Sequence, residues 1–210
     1  MMPTHLGLLL RTRRTHLTLA ALLLCATISA LTVFSSYGLQ GRGGAVTLIA
    51  FITPVPAACV VGFGSGTRYR DVERLAGRRL ASSVRSLTLA LTGITLLLMF
   101  LAPISASASV ATTPVETGIM FARVALAFCG AALLSTYLFG HTYSWIIPVL
   151  CIPLVSHYGY DSAGASLWWN VAATPGQHLP SWILAAGLYT LGLCLPLTGQ
   201  APLVERLAHR

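Results

Sequence analysis

The stretch RYRDVERLAGRRLASSVR, Arg68 to Arg85, decides how this chain is read. It holds six of the thirteen basic residues, Arg68, Arg70, Arg74, Arg78, Arg79 and Arg85, and lies between two long apolar runs. Arginines clustered beside apolar runs mark the cytoplasmic side of a membrane protein. From Asp71 the apolar positions are Val72, Leu75, Ala76, Leu80, Val84 and Leu87. Those spacings trace one face of an α-helix. Asp71, Glu73, Arg74, Arg78 and Arg85 populate the other side. Asp71 stands three residues before Arg74, which predicts a helix start near Asp71. The segment therefore reads as a cytoplasmic amphipathic helix running into the next apolar span.

Working outward, the 210 residues are 55% hydrophobic and 9% charged. A soluble domain carries about 25% charged residues, so too little polar surface remains for a water-facing shell. The net charge of +8 comes entirely from arginine on the basic side. These arginines sit at the ends of apolar segments, where they set topology and meet lipid headgroups. No basic groove or recognition module accompanies them, which argues against nucleic-acid binding. The five cysteines, Cys25, Cys59, Cys129, Cys151 and Cys194, fall inside apolar runs without metal-ligand spacing. They read as small hydrophobic residues, with no structural disulfide expected.

Six apolar segments are long enough to be weighed as spans. They run from about Leu17 to Phe34, Ala45 to Phe63, Leu87 to Ile104, Thr117 to Phe139, Trp145 to Tyr160, and Ser181 to Leu197. Met1 to His16 reads as an interfacial stretch, without the pattern of a cleaved signal. Ser35 to Gly44 and Ser105 to Glu116 read as loops, and Gly62 to Thr67 as a flexible membrane-exit turn. Pro54 and Pro56 should kink or break the second span. The fifth segment is the weakest, since it is short and holds Pro148 and Pro153. With both termini inside, eleven arginines are cytoplasmic, Arg42 is external and Arg123 falls within the fourth span. That asymmetry favours this orientation; if the fifth segment does not cross, the tail falls outside and its two arginines are misplaced.

The expected fold is thus all-α: a polytopic integral membrane protein of six transmembrane helices, with a cytoplasmic amphipathic helix between the second and third. It forms one domain over 1–210, with an interfacial N-terminus at 1–16, the bundle at 17–197 and a cytoplasmic tail at 198–210. The layout resembles export-type (type 2) ATP-binding-cassette permeases. More narrowly, it resembles small, Arg-rich permease-like membrane proteins of actinobacteria. The pieces that carry the likeness are ERLAGRRLASSVRS (Glu73 to Ser86), FARVALAFCGAALLSTYLFGHTYSWIIP (Phe121 to Pro148) and WWNVAATPGQHLPSWILAAGLYTLGL (Trp168 to Leu193).

The resemblance implies a bacterial cytoplasmic membrane protein that moves a solute by alternating access. It implies an ATP-binding-cassette ATPase subunit as partner, together with a second copy or a sister permease in a dimer. Val72, Leu75, Ala76, Arg78, Arg79 and Leu80 would dock that ATPase. Ser156 to Pro180 would form an external gate that dips into the membrane. The chain lacks the Lys of a phosphate loop, so ATP would be bound by the partner and no cofactor by this chain. It is not expected to be an enzyme.

Arg123, His157, Asp161, Trp168 and Trp169 are the candidate pathway or gate residues. Arg123 lies near the external end of its span, where it could snorkel and pair loosely with Glu116. His157 and Asp161 are four apart and could share a helical face, with His178 further along. The patterns of intramembrane metalloproteases and serine proteases are missing. The aromatic cluster Tyr143, Trp145, Tyr158, Tyr160, Trp168, Trp169 and Trp182 reads as an interfacial belt, or as an external vestibule for a hydrophobic solute. A rival reading is a non-transporting membrane protein serving in assembly or immunity.

Overall fold

The computed structural model of the chain describes residues 15–37, 53–65, 70–106, 114–162 and 164–195. Side chains are described for 16–32 of the first helix and from Ser82 to Ile104 of the third. The interfacial N-terminus, most of the first loop, and the tail lie outside the described residues.

The chain is all-α. Six helices are described: α1 (Thr15–Tyr37), α2 (Pro54–Ser65), α3 (Arg70–Ala106), α4 (Pro114–Phe139), α5 (Ile146–Tyr158) and α6 (Leu179–Cys194). A single 3-10 turn, His141–Tyr143, joins α4 to α5. Gly140 precedes that turn at φ 97°, a conformation from which a Cβ is sterically excluded.

α4 is the centre of the bundle and packs against α2, α3, α5 and α6. Its sequence explains the position. Phe121, Val124, Ala125, Phe128, Cys129, Ala132 and Leu133 are all buried, so the helix is covered nearly all round. α6 approaches it closely because the contact is made by glycines. A Cβ on Gly130 would lie 2.6 Å from the Leu188 carbonyl carbon and 2.6 Å from the Tyr189 nitrogen. One on Gly192 would lie 2.9 Å from the Gly130 carbonyl oxygen. Helices of apolar sequence gain contact this way, by removing side chains that would hold the backbones apart.

Around an apolar core, large apolar side chains also face outward and several polar ones face inward. Leu23, Leu24 and Leu31 on α1, Leu89 and Leu97 on α3, Leu150 and Leu154 on α5, and Ile183 and Leu191 on α6 are exposed. Thr88, Thr92, Thr95, Arg123, Ser135, Ser144, Asn170 and Ser181 are buried. Thr88 and Thr95 donate back to the carbonyls of Val84 and Leu91 at 2.9 and 2.8 Å, closing their polarity within α3. Among the described residues, two stretches are long and apolar enough to cross a membrane, the 23 residues Ser82–Ile104 of α3 and the 25 residues Val115–Phe139 of α4.

Several expected boundaries move. The described part of the second segment begins at Thr53 and its helix at Pro54, so Pro54 and Pro56 occupy the first turn of α2. Helix-opening N–H groups lack intrahelical acceptors, so proline costs little there. Pro114, expected in a loop, opens α4 for the same reason. The Gly-rich turn expected from Gly62 is instead helical through Ser65. A Cβ on Gly62 would lie 2.7 Å from Ser144 Cβ, so this glycine serves close packing. The amphipathic segment and the third span form one continuous helix of 37 residues, starting at Arg70. The docking-face side chains from Val72 to Leu80 lie outside the described ones.

A paired substitution tests the glycine contact. Gly130→Ala should lower the unfolding midpoint in neutral detergent, since overpacking costs about 1–3 kcal/mol. Gly187→Ala faces open space, with nothing within 4 Å of its new Cβ. It should be neutral or slightly stabilising, because alanine is the better helix former. Equal midpoints for the two variants would contradict this packing.

Candidate functional site

The connection between α5 and α6 is not a free loop. It begins with a narrow turn in which Asp161 Oδ1 accepts from the Ala165 amide at 2.8 Å. Tyr160 and Ser166 pair across it as an isolated antiparallel bridge. The chain then makes a helical turn at Asn170–Thr174, closed by the Thr174 amide donating to the Asn170 carbonyl at 3.2 Å.

Both ends of this turn are satisfied by side chains. Asn170 Oδ1 accepts from the amides of Ala172 and Ala173 at 3.3 and 3.1 Å, acting as an N-terminal cap. Its Nδ2 donates to the Gly159 carbonyl at 3.0 Å, tying the turn to the end of α5. At the other end stands Arg123 of α4. Its Nε, Nη2 and Nη1 donate to the carbonyls of Val171, Thr174 and Pro175 at 3.0, 2.6 and 2.7 Å. A guanidinium presents its donors as a planar fork, so one side chain serves three carbonyls that an ammonium could not. Arg123 has 0% of its surface exposed and, among the described residues, bonds no acid.

This overturns the expectation that Arg123 snorkels outward or pairs with Glu116. Nine residues separate it from the start of α4 at Pro114, about 14 Å at 1.5 Å per residue. The connection descends alongside to meet it. Gly176 permits the approach, since a Cβ there would lie 3.0 Å from the Glu116 carbonyl oxygen.

A second polar knot ties the connection to α6. Ser181 Oγ lies 2.9 Å from Thr174 Oγ1, 2.8 Å from His178 Nδ1 and 2.9 Å from the Trp168 carbonyl. Thr174 Oγ1 also reaches the Asn170 carbonyl at 3.0 Å. Four contacts share the protons of two hydroxyls and of His178 Nδ1. With Nδ1 protonated three of them are filled, whereas a bare Nδ1 would leave only two filled, which favours donation from His178 Nδ1 to Ser181. A buried Ser beside a His would otherwise suggest a nucleophile and base. Here the imidazole donates to the serine, and the hydroxyl is fully buried, so the pair is a structural clasp. Trp182 Nε1 adds a bond to the Gly176 carbonyl at 2.9 Å.

The remaining expected residues do not converge. α5 ends at Tyr158, so His157 and Asp161 share no helical face. Both are exposed; His157 stacks edge-on against Tyr158 and Asp161 closes its own turn. Trp168 is exposed, whereas Trp169 packs against the core. Tyr143 and Trp145 stand at one end of α5, and Tyr158 at the other, about 20 Å away at 1.5 Å per residue. The aromatics therefore form two groups and not one vestibule. Among the described residues, no group of three or more His, Cys, Asp or Glu side chains could hold a metal ion.

Asn170, Thr174 and Ser181 were not among the sequence candidates. Each is a lone polar residue in apolar or aromatic surroundings, which is the signal that was available. Comparison with protein-family profiles, with curated proteins and with solved structures gave no match.

Two measurements test the site. Arg123→Lys should speed amide exchange at Ala172 and Ala173, because carbonyls that lose a buried partner cost about 1–3 kcal/mol each. Unchanged exchange would deny Arg123 its clamping role. Nitrogen NMR should find His178 carrying its proton on Nδ1; a bare Nδ1 with a protonated Nε2 would contradict the assigned clasp.

Proposed function

We propose that this chain is the membrane-spanning permease subunit of an ATP-driven exporter, placed in a bacterial cytoplasmic membrane with six crossings and both termini inside. The observation that carries the reading is the single helix Arg70–Ala106. It joins the Arg-rich amphipathic segment to an apolar crossing without a break. At 1.5 Å per residue its 37 residues extend about 55 Å, against a hydrocarbon core of about 30 Å. One end would therefore stand in the cytoplasm. A push on that end would be carried into the bundle, because no joint intervenes to absorb it.

The membrane placement is supported by the exposed leucines and the buried polar groups. α2, α5 and α6, with 12, 13 and 16 residues, would complete their crossings with flanking residues. In this orientation the Arg123-held connection lies on the external side, where it would act as a gate. ATP binding on a separate ATPase subunit would move the docking face of Val72, Leu75, Ala76, Arg78, Arg79 and Leu80. A second copy or a sister permease would complete the pathway.

A second reading is a non-transporting assembly or immunity protein. It is favoured by the number of side-chain bonds that fix the connection in place.

The test is purification of the tagged chain in mild detergent. A protein carrying the G-x-x-x-x-G-K-[ST] phosphate loop should co-elute. Leu75→Asp should abolish that association and leave membrane insertion intact. Retained association in the variant would remove the docking role.

A further inference from the structure

Arg123 carries a full positive charge in the interior, and its three hydrogen-bond partners are neutral carbonyls. Hydrogen bonds stabilise that charge but do not neutralise it, and a buried ion without a counter-ion is costly. Three of its five N–H donors are engaged here; two remain for a further acceptor.

The carbonyls belong to a unit built on α5 and α6, not on α4. The connection is bonded to α5 through Asn170 and to α6 through Ser181 and Trp182. Arg123 clamps that unit to α4. The close contact at Gly130 lies seven residues further along α4, about 10 Å away, and offers a pivot. If the unit swings about that contact, the guanidinium loses its carbonyls and needs other acceptors. At the same end of the bundle Val115, Trp168, Leu179 and Ile183 expose apolar surface, with Leu179 at 68% and Ile183 at 64%.

We propose that Arg123 recognises the anionic head of an amphiphile, exchanging its three loop carbonyls for a phosphate, sulfate or carboxylate group while the apolar chain lies against Leu179 and Ile183. Guanidinium binds such groups through paired, charge-assisted hydrogen bonds, which neutral carbonyls cannot equal. The head group could come from a bilayer lipid or from the carried solute; the chemistry is the same. The inference rests on the membrane placement above and makes no use of an ATPase.

The experiment uses the full chain in neutral maltoside detergent, with dodecyl phosphate as probe and dodecanol and inorganic phosphate as controls. Dodecyl phosphate should bind and speed amide exchange across residues 170–176, whereas the controls should do neither. Arg123→Gln should weaken binding roughly 10- to 100-fold, and Arg123→Lys less. Equal effects of dodecyl phosphate and either control on the native protein would overturn the proposal. So would undiminished binding by a folded Arg123→Gln variant. If that variant does not fold, the native-protein comparison decides. Faster exchange in phosphatidylglycerol nanodiscs than in phosphatidylcholine nanodiscs would support the proposal with bilayer lipid as the source. A response only to added dodecyl phosphate would support it with a solute. Because no ATPase is present, failure here leaves the exporter reading untouched, and failure to find an ATPase leaves this result standing.

Discussion

A buried guanidinium and a buried turn of backbone each lack what the other provides. Arg123 needs acceptors inside an apolar bundle, and the carbonyls of Val171, Thr174 and Pro175 need donors. Away from water, either group alone would cost several kcal/mol. Together they hold the connection between α5 and α6 beside α4. Asn170 solves the same problem at the other end of the turn, and Ser181 anchors the start of α6 to it. Buried irregular backbone is tolerated when protein groups satisfy it in this way.

α4 can do this because it is the central helix. Its small and apolar side chains are covered by four neighbours, and Gly130 lets α6 approach to backbone contact. Further along, Ser135 accepts from the Ile147 amide at 3.4 Å and donates to the Tyr143 carbonyl, fixing the turn into α5. One helix thus carries a charged clamp near its start, a close glycine contact in its middle and a hydroxyl pin near its end. In the proposed orientation these levels correspond to the external side, the bundle interior and the cytoplasmic side.

The helices were legible because apolar periodicity and composition are local properties. α3 was expected from near Asp71 and is described as helix from Arg70, since the acidic first turn and the apolar face lie within a few residues of each other. What escaped the sequence was partnership at a distance. Arg123 is 48 residues from Val171, so nothing beside it says that its side chain turns inward. Its position near a helix end suggested snorkelling because depth along a helix can be counted but facing cannot. Gly62 suggested a turn because glycine serves both turns and close contacts, and only its distant neighbour Ser144 tells them apart. Ser181 was passed over because its three partners lie on the preceding connection, folded back onto it.

The central claim is that Arg123 keeps the connection buried against α4. It is tested most directly by labelling single cysteines, in a cysteine-free background, with a membrane-impermeant maleimide on intact cells. Ala172→Cys replaces a fully buried residue and Ser162→Cys an exposed one of the same connection. The account predicts rapid labelling at Ser162→Cys, protection at Ala172→Cys, and loss of that protection when Arg123→Met is added. Equal labelling of both positions with Arg123 intact would contradict it.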